Sequence, residues 1–149
     1  MVAALLALLV VALPSTKATF SVEASWKATS VPSIVAAYRG PKGETLAVTR
    51  AQVPNADAWR EKTRAGYVEA VERGALAALR GGKRISHKVG AANGVPVLDI
   101  EVKRDDGVVV VLRYLLFRTY ALALAIEVPR GGSPEEARTI AASFAPSAS

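Results

Sequence analysis

The chain has 149 residues, 51% of them hydrophobic, with 19 Lys and Arg against 13 Asp and Glu, a formal charge of +6. That is the size of one ordinary domain, and its apolar content excludes a disordered chain, a collagen-like one and a polytopic membrane protein. It has no cysteine and one histidine, which excludes disulfides, thiolate metal sites, iron–sulfur clusters, a Cys nucleophile, a lipid-modified N-terminal Cys and multi-histidine metal centres.

Residues 2–13 (VAALLALLVVAL) form an unbroken apolar run that meets Pro14. A spanning helix needs about 20 residues, so this run has the length of a signal-peptide core instead. It has no polar face to show water, which speaks against the first helix of a cytosolic domain. No Lys or Arg precedes it, so either the N-terminal amine supplies the leading charge or the true start lies upstream. Thr16-Lys17-Ala18 places small residues for cleavage after Ala18. Residues 1–18 therefore read as a signal peptide and 19–146 as the mature domain. The expected address is secreted or periplasmic, without lipid modification.

Along the mature chain, Phe20-Ser21-Val22 and Trp26 read as a first strand and its anchor. Ile34 to Arg39 and Glu44 to Arg50 are extended runs joined by Gly40-Pro41-Lys42-Gly43, a four-residue hairpin loop. Residues 57–80 predict a helix, because Trp59, Thr63, Tyr67, Val71, Ala75 and Leu79 recur every four residues. Asn55 or Asp57 would cap its start and Gly81-Gly82 would end it. Its outer face, with Arg60, Glu61, Arg64, Glu72 and Arg80, reads as a solvated charge coat.

Three strands are expected next. In 84–89, Ile85, His87 and Val89 would face one way and Arg84, Ser86 and Lys88 the other. In 95–103, Leu98, Ile100 and Val102 alternate with Asp99, Glu101 and Lys103, a half-buried strand. Between these two runs, Ala91-Ala92-Asn93-Gly94 is a hairpin loop by composition. Asp106-Gly107 signals a turn into Val108–Leu112, which is apolar on both faces, as in a covered central strand. Val108 to Val128 could span a bilayer by length. However, Arg113 and Arg118 in its interior would each cost about 2.5–3.5 kcal/mol there, so two strands with a bend near Arg118-Thr119 fit better. Ser133-Pro134-Glu135-Glu136 has the form of a capping box, opening a helix with Ala137, Ile140, Ala141 and Phe144 on its apolar stripe.

This order resembles the PsbP/Mog1/DcrB-like α/β/α sandwich. The tail EVPRGGSPEEARTIAASF (127–144) is similar to that fold's closing strand and helix. Phe20 with Trp26 and the Tyr38–Gly40 hairpin are similar as well. The resemblance spans roughly 19–145. It implies an α+β fold: a mainly antiparallel sheet with a long helix and a short C-terminal helix on its faces. It also implies an accessory or binding role rather than catalysis, and no member's functional motif matches here.

The residues agree with that role. His87 is the only side chain suited to general-base work at neutral pH, and Ser86 beside it on a strand would point away. No G-x-S-x-G elbow occurs. Asp105-Asp106 lacks the spacing of a calcium loop, and Gly81-Gly82-Lys83 lacks the flanking residues of a phosphate loop. Asp99 with Glu101 would sit on a solvent face with low pKa values. No catalytic residue, metal site or cofactor is therefore expected.

What remains is a basic segment. Arg80, Lys83, Arg84 and Lys88 fall within nine residues without an acid, and Arg84 and Lys88 would share the polar strand face. Such a patch suits an anionic surface such as phospholipid head groups or acidic polysaccharide, so the expected partner is an anionic envelope component or a protein of unspecified kind. The segment has no aromatic residue for base stacking, which argues against nucleic acid. The alternative is an apolar-ligand carrier, holding lipid between the sheet and the 57–80 helix in a pocket lined by Trp59, Tyr67 and Val71.

Overall fold

The computed structural model describes residues 8–13, 18–32, 34–52, 61–79, 82–117 and 120–147. Its strands are β1 (Leu8–Ala12), β2 (Ala18–Glu23), β3 (Lys27–Thr29), β4 (Ala36–Arg39), β5 (Thr45–Gln52), β6 (Lys83–Ala92), β7 (Val95–Lys103), β8 (Val109–Leu116), β9 (Tyr120–Val128) and β10 (Ala145–Pro146). The helices are α1 (Glu61–Ala78) and α2 (Glu135–Ser143). Strands β3 to β9 form one seven-stranded sheet in the order β3-β4-β5-β9-β8-β7-β6, every neighbouring pair antiparallel. The fold is α+β.

Strand alternation gives this sheet two faces. Leu98, Ile100 and Val102 of β7 and Val110 and Leu112 of β8 pack with Val68 and Ala75 of α1. The intervening residues Val97, Val111 and Leu115 join Leu122, Leu124 and Ile126 of β9 against Ala137, Ile140, Ala141 and Phe144 of α2. Strand β8 is thus covered on both sides, as its unbroken apolar run predicts. Each large side chain so buried contributes about 1.5–3 kcal/mol.

The α2 layer also holds a three-stranded sheet, β1-β2-β10, which the sequence pattern did not indicate. Phe20 and Val22 of β2 are fully buried and pack into the α2 core with Trp26. Phe20 meets Tyr38 and Phe144 edge-on, at 5.7 and 6.4 Å between ring centroids. Strand β1 lies within residues 1–18, the stretch that reads in sequence as a signal peptide. Its Leu8, Leu9 and Val10 are exposed, while Leu13 just after it is buried.

Among the described residues α1 covers Glu61–Ala78 of the 57–80 segment and ends before Leu79; residues 57–60 and 80 lie outside the described residues, as do Arg118-Thr119. Gly82 closes the helix as expected. Its N–H donates to the Leu79 carbonyl at 2.8 Å, and a Cβ there would stand 2.5 Å from Val102 Cγ1. The β6–β7 hairpin turns on Asn93 and Gly94 alone, both at positive φ, the tight two-residue form that Asn-Gly favours.

The start of α2 differs from the expected capping box. Pro134 is its N-cap, and Ser133 Oγ accepts only a long 3.4 Å bond from the Glu135 N–H. Glu136 instead accepts the indole N–H of buried Trp26 at 2.6 Å. The acid serves tertiary packing where a capping box would have turned it back on its own helix.

Candidate functional site

The feature that positions polar chemistry is a one-residue irregularity in β6. From Ser86 to Ala92 this strand pairs regularly with β7, but the register shifts between Arg84 and Ser86. The extra residue at Ile85 flips everything before it to the opposite face. Arg84 stands opposite Val102 and His87 opposite Ile100, so both point to the α1 side. Ser86 and Lys88 stand opposite Glu101 and Asp99, on the α2 side. The expected shared face of Arg84 and Lys88 is therefore overturned, and the bulge is the reason.

On the α1 side, Arg84 and His87 converge on Glu72. Arg84 Nη1 reaches Glu72 Oε1 at 2.5 Å, and His87 Nδ1 reaches Oε2 at 2.7 Å. Glu72 is buried rather than part of a solvated coat. Burial pushes its pKa up, but the bonds from Arg84 and His87 outweigh that and hold it below the usual value. The pairing ties α1 to the edge of the sheet.

On the α2 side, a groove of about 530 Å³ runs between the sheet and the helix. Ser86, Lys88, Asp99, Glu101, Arg113 and Arg138 supply its polar lining. Arg138 Nε and Nη2 clamp the two oxygens of buried Glu101, at 2.5 and 3.0 Å. That pairing raises the Arg138 pKa further. Arg113 Nη1 donates to the carbonyls of Ala141 and Ala142, at 3.1 and 2.8 Å, and so satisfies the last turn of α2. Its Nε is buried without a hydrogen bond, 3.6 Å from Asp99 Oδ1. Burial raises the Asp99 pKa against the opposing pull of Arg113 and Lys88. The expectation of a solvent face is overturned for Glu101, which is buried beneath Arg138 of α2, and that of a low pKa is overturned for Asp99, which is half-buried.

The sequence-derived site residues are dispersed. Lys83 is exposed at the start of β6, Arg84 is paired to Glu72, and Lys88 lines the α2-side groove. Val71 is half-buried and packs on the α1-side core. Arg80, Trp59 and the side chain of Tyr67 lie outside the described residues. Arg113 and Arg138 were not singled out as site residues. A two-residue turn at Asp106-Gly107 would have set Asp99 opposite Tyr114; the observed turn spans 105–107, with the Arg104 N–H on the Val108 carbonyl, and sets Asp99 opposite Arg113. Among the described residues no helix is long and apolar enough to cross a membrane, and no group of three or more His, Asp or Glu side chains could hold a metal ion.

No family model and no curated protein matches the chain. Among solved structures, it is similar to cyanobacterial PsbP (CyanoP) from Synechocystis sp. PCC 6803, with a TM-score of 0.66 at 14% identity over 98% of this chain and 97% of that one. A crystal structure from Bacteroides thetaiotaomicron VPI-5482 matches with a TM-score of 0.49 at 12% identity, over 89% of this chain and 46% of that one. The first of these likenesses shows a PsbP-like fold.

Proposed function

We propose that this PsbP-like chain is an exported, non-catalytic accessory domain that binds a protein partner or an anionic envelope component. The observation that carries the reading is how its reactive side chains are engaged. Glu72 holds Arg84 and the sole histidine, Glu101 holds Arg138, and Arg113 caps α2 beside Asp99. These groups spend their hydrogen bonds fastening helices to the sheet. Among the described residues no acid–base pair is left converging on a free reactive centre, which favours action by contact.

The exposed apolar edge of β1 favours the exported form. Leu8, Leu9 and Val10 face solvent at 65, 46 and 71%, which suits a segment removed with a leader better than a permanent strand. The test is in situ crosslinking of the tagged full chain in its own envelope, combined with fractionation. A stoichiometric protein or anionic adduct in the extracytoplasmic fraction is the expected result. Sustained turnover of a substrate by the purified chain would overturn the reading.

A further inference from the structure

We propose that β6 is a docking edge, which accepts an extended acidic segment of a partner protein as an added strand. The inference rests on the binding role proposed above and names the surface and the chemistry of the partner.

Three observations converge on this edge. First, β6 closes the seven-stranded sheet and pairs with β7 alone among the described residues, leaving its other backbone edge without a strand. Nine of its ten residues are exposed. The opposite edge strand, β3, has only three residues. Natural edges are blunted by bulges, but here the bulge interrupts only the start, and seven consecutive residue pairs from Ser86 to Ala92 keep regular register. Gly90 adds clearance, with no atom within 4 Å of where its Cβ would lie.

Second, Ile85 and Val89 on β6 are exposed at 52 and 51%, the only large apolar side chains so exposed in the seven-stranded sheet among the described residues. Third, Lys83 and Lys88 make no ion pair among the described residues. Lys88 stands at the mouth of the α2-side groove beside Ser86.

An incoming strand alternates its side chains between the two faces. On one face they meet Lys88 and the groove rim, which selects carboxylates. On the other they meet Val89, which selects apolar groups. A second copy fits poorly, because β6 itself (KRISHKVGAA) carries no carboxylate to meet Lys83 or Lys88 of another copy.

The test measures backbone amide hydrogen exchange of the full chain with a capped nine-residue peptide alternating Glu and Val. Exchange across residues 86–92 is expected to slow about tenfold or more at millimolar peptide. Methylating alternate peptide nitrogens should abolish the effect, and Lys88→Glu should weaken binding about tenfold. The methylated peptide needs no protein variant, so a misfolded variant cannot decide the outcome. No slowing at 86–92, equal slowing by the methylated peptide, self-association through β6, or binding of anionic vesicles but not of the peptide would each overturn the proposal. A photo-crosslinker at Val89 or at Thr139 of α2 separates this idea from the binding role. A native partner captured only at Thr139 keeps the role and overturns the strand, and capture through an acidic segment at Val89 supports both.

Discussion

Glu72 on α1 and His87 on β6, the strand that follows the helix in the chain, meet at 2.7 Å. Arg84 completes the cluster only because the bulge at Ile85 rotates it onto the same face. The cluster couples helix docking to the protonation state of one buried carboxylate.

Glu72→Gln is expected to destabilise the fold by about 1–2 kcal/mol at neutral pH, since it weakens two charge-assisted bonds, one to a half-exposed arginine. The sign with pH follows from the direction of the shift. The folded pKa lies below the ordinary value of 4.5, so the stabilisation is present above that value and is lost as pH falls through the folded one. Urea denaturation from pH 7 to pH 3 should show a shallower acid decline in the variant than in the parent.

Asp99 should behave in the opposite sense. Its folded pKa is raised above the ordinary 3.8, so the native state binds the proton more tightly and stability declines as pH rises through that window. Asp99→Asn removes this contribution and is expected to change stability by less than about 1 kcal/mol at pH 7. A carboxyl carbon NMR titration checks the direction; an Asp99 pKa below 3.8 would contradict it.

Arg113→Met should cost about 1–3 kcal/mol, because the Ala142 carbonyl loses the guanidinium donor and the Ala141 carbonyl keeps only the Phe144 N–H, while the apolar stem is preserved. Amide exchange should quicken most in the final turn of α2. The same variant should raise the Asp99 pKa further, since Arg113 is the larger of the two cations opposing burial there. Uniform quickening across the sheet would instead indicate a general packing defect.

Glu136→Leu should free the Trp26 indole N–H while leaving the ring in place. A loss of about 1–2 kcal/mol is expected, with an upfield shift of that indole proton resonance. An unchanged resonance would show that the bond does not form in solution.

Processing can be read directly by intact mass. The expected N-terminus of exported protein is Thr19, and recovery of chains that still carry Met1 from the envelope fraction would reject cleavage after Ala18.

Most of the sheet was legible before any coordinates. The runs 95–103, 108–112 and 120–128 alternate or stay apolar as β7, β8 and β9 require, and Asp106-Gly107 marks the turn between β7 and β8. The helix stripes Val68, Ala75 and Ala137, Ile140, Phe144 likewise follow from period and turn chemistry. Those signals are local, and each is written within a few residues of where it acts.

The polar site was not legible in the same way. The bulge at Ile85 has no glycine or proline to announce it, yet it decides which face Arg84 serves. The burial of Glu72 and Glu101 and the half-burial of Asp99 depend on which helix lies over them, and an i,i+2 pattern on a strand is the same whether water or α2 covers it. The chain by itself determined the elements and their apolar faces, because backbone periodicity needs only neighbours in sequence. Tertiary structure alone decided which charges meet, because one unpaired residue or one overlying helix changes the dielectric and the partners of groups far apart along the chain.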